Sequence, residues 1–327
     1  MSVMDVLQGA RVLVTGGAGF VGSNLVWRLL EEGSTVVVLD DFTTGNEVNL
    51  PESRERLTVE RGSVEDAGVV ERLVGEVDYV IHAAARNIIS STRNPREDFA
   101  VNIGGTLNVL LAARELGSKA IVYTSSASVY GNPRYLPINE DDAKNILTPY
   151  SVSKFAGENY CKAFYECYGV STRIVRYSNV FGPRQRPDSP YCGVIAKFFD
   201  WAASGQPVRI HGDGEQTRDY TYVSDAVEAT LLALCSPKAE GQVYNIGSGR
   251  ETSVNQLARM IIDICGTDVE PQHIDKRDID NIRRRVLNAE LIRRDLRWAP
   301  SVTIERGLRL TSEWLNEHEA WSGNAPG

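Results

Sequence analysis

Apolar residues in the first half of the chain fall into short β-branched runs separated by longer amphipathic stretches. Arg11–Thr15 (RVLVT), Thr35–Asp40 (TVVVLD), Leu57–Glu60, Val77–His82 (VDYVIH) and Lys119–Ser125 (KAIVYTS) are strand-length and almost continuously apolar. Such runs belong to strands covered on both faces, since a strand with one wet face alternates. The stretches Phe20–Glu32, Glu65–Val74, Arg96–Leu116 and Pro149–Tyr168 carry helical periodicity. Pro149 suits a first helical turn, where a missing N–H costs nothing. Regular strand–helix alternation predicts an α/β fold, a Rossmann-type doubly wound parallel sheet with right-handed crossovers.

Beyond Ser171–Tyr177, a further strand, the pattern changes. Phe181–Ser189 (FGPRQRPDS) reads as a loop, followed by a helix over about 194–204 and a turn at Gly212–Gly214. Val223–Cys235 and Gln242–Ile246 read as a helix and strand that rejoin the sheet. Ser253, three residues before Gln256, has capping-box spacing and opens a helix to Cys265; a last helix is expected near Ile304–Glu319. The expected organisation is two interleaved domains. A cofactor-binding domain takes 1–177 plus about 220–247, and a smaller, discontinuous α/β substrate domain takes about 178–219 plus 248–327.

Composition narrows the classes. A chain of 327 residues buries enough surface to fold without disulfides or metal. With 35 Lys and Arg against 43 Asp and Glu, a net charge of −8, it is a poor partner for nucleic acid or an anionic membrane. No apolar run reaches the ~18 residues of a membrane span, and Met1–Ala10 lacks the basic start of a signal peptide. The five cysteines form no C-x-x-C pair and read as reduced thiols of a cytoplasmic protein. No His, Asp or Glu cluster has metal spacing; His82 reads as a packed strand-end imidazole.

Candidate chemistry begins at Gly16-Gly17-Ala18-Gly19-Phe20-Val21-Gly22, directly between the first strand and first long helix. In that position Gly16 permits the tight turn, Gly19 the approach of a pyrophosphate, and Gly22 close helix–strand packing. The helix N-terminus offers free N–H groups to the phosphates. Asp40-Asp41 ends the second strand, where a carboxylate accepts from the ribose hydroxyls and repels a 2′-phosphate, so NAD is expected rather than NADP. Tyr150 and Lys154 sit at i and i+4 on one helix face, about 5–6 Å apart at Cβ. The ammonium, together with the positively charged nicotinamide, is expected to lower the phenol from its ordinary value of about 10, making it a usable base. The hydroxyls of Tyr123-Thr124-Ser125-Ser126 end a strand at the sheet edge where ligands bind.

With these motifs the sequence resembles the extended short-chain dehydrogenase/reductase family, and within it the nucleotide-sugar epimerases of the UDP-glucose/UDP-galactose 4-epimerase type. The resemblance runs from about Arg11 to Trp314, through TGGAGFVG (15–22), LDD (39–41), HAAA (82–85), VNIGGT (101–106), TSSASVYG (124–131), YSVSK (150–154), NVFGPRQ (179–185), GDGEQTRDYTYVSD (212–225) and YNIGSG (244–249). It implies transient oxidation at C4 of a UDP-hexose by bound NAD, with Tyr150 as base, Ser126 assisting and Lys154 holding the nicotinamide ribose. The implied cofactor set also includes Phe20, Val21, Ser63, Val64, Ala83, Ala84, Asn102, Ser125 and Tyr177. The implied substrate set adds Asn179, Val194, His211, Arg218 and Arg277 to Ser126 and Tyr150, with arginines gripping the diphosphate.

Departures matter too. Related 4,6-dehydratases carry an Asp-Glu pair where this chain has Ala127-Ser128, so the acid and base for dehydration are missing, and the related decarboxylases tend to have a Glu there. Ser63 replaces the usual adenine-binding Asp. Arg184–Asp188 resembles the loop of UDP-glucuronate 4-epimerases, and Arg284 lies near the position that governs N-acetyl sugars, so the sugar itself stays open. A net oxidoreductase and a non-catalytic dinucleotide sensor are the competing classes; Ser126, Tyr150 and Lys154 together argue against the sensor. The helices at 96–116 and 149–168 pair between subunits in much of the family, which implies a homodimer.

Overall fold

Alternate residues of each central strand point to opposite faces of the sheet, and both faces are apolar. Val12, Val14, Val36 and Val38 join one core cluster, while Leu13, Val37 and Leu39 join another. That double burial explains why the strands read as continuous hydrophobic runs. The computed structural model describes residues 3–53, 55–185, 193–276 and 282–318.

A short helix α1 (Val3–Leu7) precedes β1 (Arg11–Thr15), α2 (Phe20–Glu31), β2 (Thr35–Asp40), β3 (Leu57–Arg61), α3 (Ala67–Val74) and β4 (Tyr79–His82). Then come α4 (Ile88–Arg93), α5 (Pro95–Asp98), a π-helical turn at Phe99–Gly104, α6 (Gly105–Leu116), β5 (Ala120–Ser126), α7 (Pro149–Tyr168) and β6 (Thr172–Tyr177). The second half holds β7 (Asn179–Phe181), α8 (Val194–Ala203), β8 (Arg209–His211), β9 (Thr217–Arg218), β10 (Tyr220–Tyr222), α9 (Val223–Cys235) and β11 (Val243–Ile246). It ends with β12 (Thr252–Ser253), α10 (Val254–Cys265), β13 (Gln272–Ile274), α11 (Glu290–Leu296) and α12 (Ile304–Glu317).

The main sheet runs β3-β2-β1-β4-β5-β6-β11, every neighbour parallel. Strand order reverses between β1 and β4, and ligands bind beyond the carboxyl ends of strands at such a switch point. The α/β, Rossmann-type expectation is met. Short two-stranded pairs, β7–β10, β8–β13 and β9–β12, stand apart from this sheet. A third apolar cluster lies among them, with Phe181, Phe198, Ile210, Tyr220 and Leu257.

Local signals set several helix ends. Thr148 caps α7 in a capping box with Ser151, Pro149 occupies the first turn, and Gly169 takes a left-handed C-terminal position at φ 70°. Ser253 and Gln256 form the expected box on α10. The helix expected as one piece over Arg96–Leu116 departs from regularity at Phe99–Gly104, where the backbone takes the wider π turn. Two tertiary contacts accompany that turn: Asn102 reaches back to the Arg86 backbone, and Gly105 packs where an added Cβ would stand 2.4 Å from Val64. Among the described residues no helix is long and apolar enough to cross a membrane, and no group of three His, Cys, Asp or Glu side chains could hold a metal.

Candidate active site

A cavity of about 350 Å³ opens at the switch point. The start of α2 forms its floor. The N–H groups of a first helical turn have no intrahelical acceptor; here those of Phe20, Val21 and Gly22 belong to lining residues, with no acidic side chain in that turn. Gly16, at φ 69°, brings the chain so near β4 that an added Cβ would lie 2.8 Å from Ala84 backbone atoms. A Cβ at Gly19 would have only the Gly16 carbonyl within 4 Å, at 3.2 Å, which leaves its other side open for close approach. Gly22 is tighter: its Cβ would stand 2.0 Å from the Gly16 oxygen. Gly22→Ala is therefore expected to cost at least roughly 1–3 kcal/mol of stability and to strip the protein of bound dinucleotide, read by denaturant melts and by nucleotide content after purification.

Asp40 and Asp41 line the same cavity beside Ser63 and Val64. Asp40 is buried, and its carboxylate accepts from Ala18 N at 2.9 Å and Phe42 N at 2.8 Å, which fixes its direction. Burial raises its pKa, the two backbone donors working the other way. Asp41 differs: burial would raise it, but the Arg86 guanidinium at 2.7 Å outweighs this and holds it below the usual carboxylate range. Ser63 Oγ lies 3.1 Å from the Glu65 carboxylate, to which it donates. Backbone donors that fix the Asp40 carboxylate, free helix N–H groups and an acidic ribose position together fit a dinucleotide lacking a 2′-phosphate.

At the other end of the cavity, Thr124, Ser125, Tyr150, Lys154 and Tyr177 line the wall. Lys154 is buried and donates to the Thr124 carbonyl at 2.8 Å, with its Nζ 5.9 Å from the Tyr150 ring centre. Burial pushes Lys154 down to about 8, while the charges of Asp98 and Glu158 oppose the fall. Burial pushes the Tyr150 phenol up to about 12, and its hydrogen bond with Ser126 works against that rise. Desolvation of the phenolate, with the Asp98 charge adding to it, exceeds what the Ser126 hydrogen bond returns, so the lowering expected from the sequence has to come from the positive charge of the bound nicotinamide. Ser126 ends β5 and sits opposite Tyr177 in register. Tyr177 is pinned through its hydroxyl to Thr230 at 2.6 Å.

The expected cofactor residues all line this cavity except Asn102. Asn102 is buried behind the wall, and its amide is fully engaged. Its Oδ1 accepts from Arg86 N at 2.7 Å, and its Nδ2 donates to Arg86 O at 3.1 Å, Asp98 at 2.7 Å and Ser153 at 3.1 Å. It shapes the groove from outside instead of lining it. His82 is fully bonded, to Thr15 at 2.7 Å and Thr106 at 2.9 Å, and burial with Lys154 nearby holds it at about 3, so it stays neutral at working pH.

Asn179 begins β7 two residues beyond Tyr177, on the carboxyl edge of the sheet that carries Ser126. Arg218 is buried and donates to the carbonyls of Thr217 at 2.9 Å and Ile282 at 2.8 Å. His211 bonds to Asp275 O at 2.8 Å, and Val194 opens α8. Val194, and the strands of Asn179 and His211 through Phe181 and Ile210, pack on the third apolar cluster, while Arg218 sits on β9, paired with β12. Arg284 is exposed and paired with Glu251, and Arg184 lies over Trp27 and donates to Asn24 at 2.9 Å. Arg277 and the loop from Arg186 to Cys192 lie outside the described residues.

Sequence reading missed Arg86, which lines the cavity, and the buried pair of Glu158 on α7 with Arg176 on β6. The signal for Arg86 was its place directly after HAAA at a strand end; for Glu158, its place one turn after Lys154 on the same face.

Residues 12–247 match the model of the NAD dependent epimerase/dehydratase family. The chain belongs to that family; it is an enzyme of this class and its cofactor is NAD. A putative UDP-glucose 4-epimerase of Methanocaldococcus jannaschii is 38% identical over 310 residues, covering 94% of this chain and 99% of that protein. The crystal structure of a UDP-glucose 4-epimerase from Thermotoga maritima, with UDP-glucose, superposes with a TM-score of 0.89 at 37% identity, over 94% of this chain and 99% of that one. A UDP-N-acetyl-alpha-D-glucosaminuronate decarboxylase of Bacillus cytotoxicus is also similar, 34% identical over 94% of this chain and 98% of its own length.

Proposed function

We propose that the protein is a 4-epimerase of a UDP-hexose of the UDP-glucose/UDP-galactose type. The observation that carries this reading is the meeting of Ser126, Tyr150 and Lys154 at the carboxyl edge of the sheet, with Ala127 and Ser128 following where dehydration would need an acid and a base. Bound NAD⁺ supplies the acceptor that takes and returns the C4 hydride, and a positive charge that favours the phenolate. Tyr150 takes the proton of the 4-hydroxyl and gives it back. Ser126 orients that hydroxyl and stabilises the phenolate by hydrogen bonding. Lys154, fixed by the Thr124 carbonyl, presents its ammonium to the ribose side and to Tyr150. Asn179 and Arg218, with Arg277, hold the diphosphate while the 4-keto ring turns over, and His211 and Val194 flank the nucleotide end. Gripping the diphosphate is what lets the ring present either face without leaving.

The apolar cluster among the short strand pairs, separate from the two that flank the main sheet, supports a distinct substrate domain, with Ile292, Leu296 and Trp298 of the 248–327 segment packing on the cofactor side. The α6–α7 face leaves Leu116, Val152, Tyr160 and Tyr168 at least 38% exposed, with Phe99 beside it, and supports a homodimer built there. The free thiols suit a cytoplasmic protein.

Purified protein incubated separately with UDP-glucose, UDP-N-acetylglucosamine and UDP-glucuronate, read by NMR of the sugar ring, is expected to convert UDP-glucose into its 4-epimer with no net NADH. Stoichiometric NADH, loss of CO₂ or loss of water from any of the three would sink this reading, as would no turnover.

A further inference from the structure

Arg86 is a buried cation in the half of the groove that faces Asp40 and Asp41. Its side chain is 10% exposed, and its guanidinium bridges two carboxylates: Nη2 donates to Asp41 Oδ2 at 2.7 Å, and Nε to Glu97 Oε1 at 2.6 Å. Its backbone is held as firmly, by Asn102 on both N–H and carbonyl. Burial alone would lower its pKa; the two carboxylates outweigh it and raise it, so the charge is permanent.

The topology makes this pairing unusual in reach. Asp41 follows β2 and Arg86 lies four residues past the end of β4, and β1 runs between those two strands. Two strand spacings, about 10 Å, separate them. The ion pair therefore spans the carboxyl end of β1, where the glycine loop starts. Asp40, Asp41, Ser63 and Val64 wall the cavity on one side, and Ala84 and Arg86 on the other. Glu97, on α5, anchors the guanidinium from outside the cavity and does not line it.

We propose that Arg86 is the cofactor-retaining residue of this enzyme, a bridge from Asp41 to Glu97 that keeps NAD in the groove between turnovers. The proposal rests on the epimerase reading, in which the hydride taken from a sugar must go back to the same sugar. A cofactor that left after the first half-reaction would strand the keto sugar, so the reaction rewards a slow exit. A dehydrogenase that exchanges its cofactor every cycle would be slowed by the same bridge. Two charge-assisted hydrogen bonds join a guanidinium 10% exposed to carboxylates 26% and 36% exposed, and both must break for the bridge to open. Arg86 takes no part in proton or hydride movement.

The test follows NAD itself. Holoenzyme carrying radiolabelled NAD is mixed with excess unlabelled NAD, without sugar, and label loss is timed. Arg86→Ala is expected to release label at least 10-fold faster than the parent, Arg86→Lys to fall between, and Glu97→Gln, which loosens only the outer anchor, to speed release several-fold. Turnover by Arg86→Ala becomes dependent on added NAD and recovers as NAD is raised. Unchanged exchange in Arg86→Ala overturns the proposal, as does turnover that stays lost at saturating NAD, which would place Arg86 in the chemistry. Should Arg86→Ala fail to fold, parent-like exchange in Glu97→Gln overturns it equally. Because exchange is read without sugar, a protein that epimerises nothing yet releases NAD faster as Arg86→Ala would sink the function and leave the bridge standing.

Discussion

Tyr150→Phe is expected to lower turnover roughly 10³-fold while leaving NAD bound and the melting temperature near that of the parent. The phenol lines the cavity, shares a hydrogen bond with Ser126 and has its ring centre 5.9 Å from the Lys154 ammonium. Removing the oxygen leaves the ring and its packing, so the loss falls on chemistry and not on the fold. The pH profile supplies a second readout. Burial raises the Tyr150 phenol to about 12 and Ser126 opposes that rise. Ser126→Ala therefore pushes the phenol further up, and the limb of the profile that rises with phenolate formation moves to higher pH. A Tyr150→Phe enzyme with parental turnover, or a Ser126→Ala limb displaced toward lower pH, would remove Tyr150 from the role of base.

Arg176→Met is expected to destabilise the protein by about 3–5 kcal/mol, the largest effect on folding among these substitutions. Arg176 and Glu158 are almost wholly buried, with side chains 2% and 1% exposed. They meet in a two-pronged bridge, Nε to Oε1 at 2.8 Å and NH2 to Oε2 at 2.6 Å. The remaining arginine nitrogen donates to the Tyr130 hydroxyl at 2.6 Å and the Glu140 carbonyl at 2.7 Å, and Tyr130 donates on to Asn245 at 2.6 Å. Ser125 donates to Glu158 at 2.5 Å. Methionine would fill much of the volume and leave Glu158 as a buried charge without its partner. The cost is that of the stranded charge rather than the worth of the pair, so Arg176→Met combined with Glu158→Leu is expected to recover most of it. Urea melts of the NAD-saturated proteins give both numbers; an Arg176→Met protein within about 1 kcal/mol of the parent would show that Glu158 finds other compensation. Because Ser125 precedes Ser126 and Glu158 lies one turn after Lys154, the single variant is also expected to turn over more slowly.

What the sequence made legible was local or periodic. The glycine loop announces itself because a tight turn, a close phosphate approach and close packing each need a residue without a side chain at fixed offsets. Tyr150 and Lys154 share a face because helical geometry puts i and i+4 together. Pro149 and the Ser253–Gln256 box mark helix starts by chemistry confined to four residues. Continuous apolar runs identified strands buried on both sides, and with the intervening helices they define a parallel sheet with its ligand edge.

The rest depended on which distant segments meet. Arg86 reads as an ordinary charged residue until β1 is seen to lie between β2 and β4, bringing Asp41 within 2.7 Å across 45 positions of sequence. Asn102 sat in a motif shared with the family, yet the π turn directs its amide to Arg86, Asp98 and Ser153, behind the groove. Glu158 finds its buried partner only because β6 places Arg176 against α7. Burial is the same kind of quantity: the sequence puts an ammonium beside Tyr150, but the net rise to about 12 comes from desolvation by segments far away in the chain. The sequence by itself therefore determined the fold class, the dinucleotide loop and the Tyr150–Lys154 pair from local spacing and periodicity, while Ser126 entered through the resemblance of its strand-end motif. Only the tertiary structure decided which charges pair, which polar groups turn away from the groove and how far the reacting groups are desolvated, because pairing and burial are properties of surfaces that exist once the elements have packed.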